Sequence, residues 1–218
     1  NLATDNLTVT QTGTTPSFTN TGTITIASGR TWTVTGGTLD LSAGTVSGAG
    51  TLNVSGATFL FSTATMTTPL ITSSVATGGI TVPNGQTLTL LGGSTLADPI
   101  TNAGQILLSG TVAFNGALTT VAGSALRVGG VAGQTVLTVA NGFTNHGTLD
   151  LTNTAAGYYA QLTVTTGTLL NAADGTIHSL APVNGGSRTL AAELNNQGTL
   201  TLDYPLTWNG PNAAQMTN

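Results

Sequence analysis

The 218-residue chain contains no cysteine and no lysine, and only ten of its residues carry formal charge. Without cysteine there are no disulfide staples and no thiolate metal ligands, so stability rests on packing and hydrogen bonding. This absence leaves the compartment open. The charges are Arg30, Arg127 and Arg188 against Asp5, Asp40, Asp98, Asp150, Asp174, Glu193 and Asp203, a net charge of −4. So thin and acidic a distribution offers phosphate backbones no basic footprint, which argues against nucleic-acid binding, and it supplies no polybasic membrane anchor. No apolar run approaches the roughly 20 residues that a transmembrane helix needs, so membrane insertion is not expected. A charged-then-apolar leader is also missing, and repeat-like sequence runs close to both ends. The expectation is one segment, 1–218, of a longer chain or fibre.

Threonine is abundant, with 47 residues, and glycine supplies 30. Threonine is β-branched and polar, which suits the solvent face of a strand and disfavours a helix. With 39% hydrophobic residues the chain can still bury a core. Nearly all of it should be strand and turn.

The strands recur. One frame, a turn glycine followed by a short alternation, appears as NTGTITI at 20–26, GAGTLNV at 48–54, NAGQILL at 102–108, NHGTLDL at 145–151, AADGTIH at 172–178 and NQGTLTL at 196–202. A second frame appears as SGRTWTVTGG at 28–37, NGQTLTLLGG at 84–93 and AGSALRVGG at 122–130. The stretch 24–38 matches 80–94 at an offset of 56 residues. Such self-similarity predicts an all-β parallel β-helix, or β-solenoid, with coils of roughly 20–28 residues, eight to eleven of them over roughly 40–50 Å. One coil cannot cover its own apolar face, so coils stack and like residues pile on like. The expected inward set includes Ile24, Ile26, Trp32, Val34, Leu88, Leu90, Leu149, Leu151, Leu200 and Leu202. Corner residues Asn20, Asn102, Asn145 and Asn196 are expected to stack as an amide ladder. The alternative is an antiparallel β-sandwich, whose short strands and turn dipeptides would look similar but which has no reason to contain the 56-residue match.

Runs such as GGTLDLSAGTVSGAGTLNVSGAT (36–58) and LNNQGTLTL (194–202) resemble the β-strand repeats of large bacterial exported proteins, the filamentous-haemagglutinin-like and autotransporter-passenger families. The resemblance covers chiefly 18–62, 78–152 and 163–203. It implies a right-handed parallel β-helix at the cell surface or outside the cell, serving adhesion, matrix or fibre building. The partners it implies are further copies of the chain and a glycan, host or matrix surface.

Candidate chemistry is sparse. Some parallel β-helices cleave glycans, which takes two carboxyl groups at roughly 5–9.5 Å; here Asp40 and Asp150 occupy the same outward strand position of related GTLDL frames, and stacking could bring such carboxylates together. His146 and His178 lack metal-ligand spacing, and neither a phosphate-cradling loop nor a nucleophile elbow is present. No catalytic, cofactor or metal site is therefore expected. Outward Thr-x-Thr pairs, Thr23/Thr25, Thr31/Thr33, Thr87/Thr89, Thr163/Thr165 and Thr199/Thr201, would present hydroxyls and methyls in columns, the kind of face that some β-helical ice-binding proteins use. Ice binding is therefore the second functional reading. Two segments depart from the repeat: 153–161, a loop interruption carrying Tyr158 and Tyr159 as candidate surface contacts, and 203–218, a candidate cap or inter-module contact.

Overall fold

A computed structural model describes residues 1–60, 69–131, 133–154, 157–182, 185–210 and 216–217. Among them there are strands and turns and no helix. Alternating Thr and aliphatic residues impose a period of two, and most strands end where glycine, asparagine or proline lets the chain turn; between Pro69–Thr72 and Val75–Thr77 Ser73 makes the turn, with a φ of +47°. The chain winds through these short strands into a β-solenoid, with each coil bonded to the coils before and after it.

The first sheet has ten strands in the order of the chain, from Leu7–Thr10 through Thr31–Thr35, Thr51–Ser55, Pro69–Thr72, Thr87–Leu90, Gln105–Leu108, Ala125–Val128, Thr148–Leu151 and Thr176–Ser179 to Thr199–Leu202. The second sheet has eleven strands, beginning at Ser17–Thr19 and ending at Leu206–Trp208, with Met216–Thr217 pairing as well onto Arg188–Asn196. A third face is built from Thr23–Thr25 with Thr45–Ser47, and from Ile80–Val82, Ile100–Asn102 and Leu118–Thr120. Beyond Leu118–Thr120, single long strands serve both the second and third faces, Thr135–Asn145 and Ala160–Asn171, with irregular register at Asn141/Phe143. Pairing is parallel throughout the described strands, which excludes the antiparallel sandwich.

Coil length varies more than the sequence led us to expect. Register partners are 17 residues apart at Leu52 and Pro69, 18 at Leu88 and Ile106, and 28 at Leu149 and Ile177. The 56-residue match spans three short coils: Thr33 lies on Asn53, Asn53 on Leu70, and Leu70 on Thr89. The two frames share a sheet. Both belong to the first sheet, except NTGTITI, whose Thr23–Thr25 lies on the third face.

Inside, the columns are apolar. Val34, Val54, Ile71, Leu90, Leu108, Val128 and Leu151 follow one another in register and are fully buried. Fully burying one such side chain contributes roughly 1.5–3 kcal/mol. Trp32 is also fully buried and meets Phe18 edge-on, with ring centroids 5.5 Å apart. Three expected core residues fall short: Ile24 and Leu200 are partly buried and Leu202 is 56% exposed. They belong to coils at either end of the stack, where an apolar column has a neighbour on one side.

Candidate functional site

The threonines of the sequence motif occupy three faces. Thr31/Thr33, Thr87/Thr89 and Thr199/Thr201 lie on the first sheet, Thr163 on the second with Thr165 near its bend, and Thr23/Thr25 on the third. On the first sheet one outward column can be followed through all ten strands: Thr8, Thr33, Asn53, Leu70, Thr89, Leu107, Arg127, Asp150, His178 and Thr201. Four of its ten members are threonine. Threonines sit close together in the early coils, where Thr8 and Thr10 lie beside Thr33 and Thr35 and Thr31 beside Thr51. Further along, an open depression of about 280 Å³ lies beside the same sheet, lined by Asn84, Gln86, Thr87 and Gln105 with Gly104 and Gly123.

The later part of that column is polar and connected. Arg127 Nε donates to Asp150 Oδ2 at 3.0 Å, and Nη2 lies 3.0 Å from the same oxygen as an ion pair. His178 Nε2 lies 2.7 Å from Asp203 Oδ2, and its Nδ1 lies 3.9 Å from Asp150 Oδ1. The Asp150 side chain is 6% exposed, and a carboxylate so deeply placed needs these partners to offset its lost hydration. Another His–Asp contact joins successive coils, His146 Nδ1 to Asp174 Oδ1 at 2.8 Å, and the hydrogen bond holds the Asp174 carboxyl below the usual carboxylate range. Sequence reasoning missed these pairs, because their members lie 23 to 28 residues apart and meet only once the coil lengths are known. The carboxylate pair tested from sequence does not form: Asp150 is on the first sheet, whereas Asp40 is on the second, where its carboxylate accepts from the Ser42 hydroxyl and backbone N–H. No group of three or more His, Cys, Asp or Glu placed to hold a metal occurs among the described residues.

The corner asparagines use their amides in a shared way. Asn145 Nδ2 donates to Gly147 O in its own coil and to Thr176 O in the next, and Asn20 does the same with Gly22 O and Thr45 O. Asn102 donates to Ala125 O, one coil on. A direct amide ladder runs from Asn145 Nδ2 to Asn171 Oδ1 at 2.9 Å and from Asn171 Nδ2 to Asn196 Oδ1 at 2.8 Å. Asn171 is its centre and was absent from the expected set, whereas Asn20 lies far from it and Thr120 sits between Asn102 and the ladder, over Asn102 in register and bonded to Thr144 O.

Tyr158 is 39% exposed and Tyr159 half-buried, in the connection between Thr148–Leu151 and Ala160–Asn171. The Tyr158 carbonyl accepts from Asn153 Nδ2 at 2.6 Å, and Asn153 also reaches Gly185 O of the following connection, so the tyrosine loop rests on the next coil. Residues 155 and 156 of this interruption lie outside the described residues, as do 211–215 and 218 of the C-terminal segment. What is described of that segment adds another rung to the second sheet, with the Trp208 indole donating to Ala192 O at 2.9 Å. No protein-family model, curated protein or solved structure matches the chain.

Proposed function

We propose that the chain is a non-catalytic structural or adhesive element, a shaft or fibre-forming unit of an extracellular bacterial surface or matrix assembly. The observation that supports this reading most is the continuity of the first sheet, ten parallel strands over a largely apolar interior. Such a stack resists bending and stretching because every coil between the two ends is bonded on both sides by backbone hydrogen bonds. Sparse charge also favours close self-association, since little repulsion opposes contact between copies. The exposed Tyr158 supplies an aromatic anchor for a glycan or matrix partner. Electron microscopy of the purified protein tests the reading: rods or filaments of uniform width support it, and irregular compact particles oppose it.

Ice binding is the second reading, favoured by the threonine patch of the early coils, Thr8, Thr10, Thr31, Thr33, Thr35 and Thr51. Thermal hysteresis at micromolar protein would place it first.

A further inference from the structure

We infer that Arg188 anchors an internal binding site for a small monocarboxylate. Arg188 opens the strand Arg188–Asn196, lies in register between Ala160 and Leu206, and is fully buried. Its Nη1 donates to Ser187 O at 3.1 Å and to Tyr158 O at 3.5 Å. Its Nε and Nη2 have no hydrogen-bond partner, and no carboxylate pairs with the group among the described residues. Those two nitrogens form one edge of the guanidinium plane. That edge carries the parallel N–H bonds that receive a carboxylate in bidentate fashion. The used and unused nitrogens are therefore divided as a carboxylate clamp requires: one fixes the group to the backbone, and two point elsewhere.

A second observation belongs to the same corner. Ser179 faces inward on the neighbouring strand of the first sheet, is fully buried, and its hydroxyl also has no partner. Tyr204 joins the two residues. Its N–H donates to Ser179 O at 3.1 Å, while its ring lies 5.5 Å from the Arg188 guanidinium carbon. The register column beneath Arg188 is small, with Gly110, Thr135 and Ala160 in the three preceding coils. A buried guanidinium with unused donors is strongly disfavoured, and a ligand carrying one negative charge cancels that cost, whereas a dianion leaves charge behind. A planar acceptor of one charge and few atoms is a small carboxylate. Entry would require the strand-free segment holding Tyr204 to lift.

The chain has three arginines and no lysine, so its Nε–H signals can be followed individually by NMR. Sodium formate, titrated against sodium perchlorate at constant ionic strength, should move the Arg188 Nε–H signal downfield along a saturating curve and leave Arg30 and Arg127 in place. The same titration should raise the melting temperature of the wild type and leave that of Arg188→Met unchanged. If Arg188→Met does not fold, Arg30→Gln and Arg127→Gln assign the Arg188 signal by elimination. An Arg188 signal that does not move, that moves equally with perchlorate, or that shifts without saturation in step with the other arginines overturns the site.

Discussion

At the scale of single residues, the ladder at Asn171 shows how a polar side chain becomes part of a core. Asn171 is fully buried, accepts from Asn145, and donates to Asn196 and to Thr199 O at 3.0 Å. Truncation to alanine removes all three bonds and leaves Asn145, Asn196 and Thr199 each short of one. Since stranding a buried polar group costs about 1–3 kcal/mol, Asn171→Ala should lower the urea unfolding free energy by that amount, and the more accessible Asn20→Ala by about 0.5–1 kcal/mol. Asp174 gives a prediction in pH. A carboxylate whose folded pKa is depressed adds stability that is complete above its unfolded value, about 3.9, and fades as pH falls through the lower folded value. Because the hydrogen bond from His146 lowers the Asp174 pKa, the wild type should melt above Asp174→Asn near neutral pH. That difference should shrink below about pH 4; melting curves of both proteins across the acid range would show it.

At the scale of elements, the coil corners use glycine in two physically different ways. In the first frame, apart from Gly22 in an end coil, the need is close approach: a Cβ on Gly147 would collide with Ser124 Oγ and lie 2.5 Å from Ser124 O in the preceding coil. In the second frame the need is conformation, since Gly29 has a φ of +73° and nothing within 4 Å of its missing Cβ. Alanine at 29 should therefore cost about 1 kcal/mol, and asparagine, which tolerates the left-handed region, should recover part of it. Alanine at 147 should cost about 1–3 kcal/mol through overpacking, and asparagine there should be worse. Chemical denaturation of the four variants tests the distinction. The strands themselves were readable from the alternation, because Trp32 and Val34 or Leu88 and Leu90 point inward wherever the period of two places them. Asn171 was not readable from the frame. Three residues, Ala172, Ala173 and Asp174, separate it from Gly175, where Asn145 has one residue before Gly147, so the AADGTIH copy of the frame carries no asparagine at the expected place, although the extra residues form a turn. The Arg127–Asp150–His178 column was hidden for a related reason: cross-coil contacts depend on coil length, and coil length is set by turns whose size the strand pattern does not record.

At the scale of the whole molecule, the stack is an apolar column whose outer surface changes along its length. Early coils present threonine; later ones carry longer connections, the tyrosine loop, and the Arg, Asp and His residues that tie coil to coil. The proposed role as a shaft and the carboxylate site at Arg188 both require that successive coils lie in register. The absence of cysteine gives that requirement a direct test, because any disulfide must come from introduced residues. Thr138 lies on Thr163 and Thr163 on Ala191, one coil apart at each step. Neighbouring strands are about 4.8 Å apart, within disulfide reach, whereas two coils span about 9.6 Å, beyond the roughly 7 Å that a disulfide tolerates. The Thr138→Cys/Thr163→Cys protein should oxidise to an intramolecular disulfide while Thr138→Cys/Ala191→Cys stays reduced; ready closure of the second pair and failure of the first would contradict the stacked parallel register.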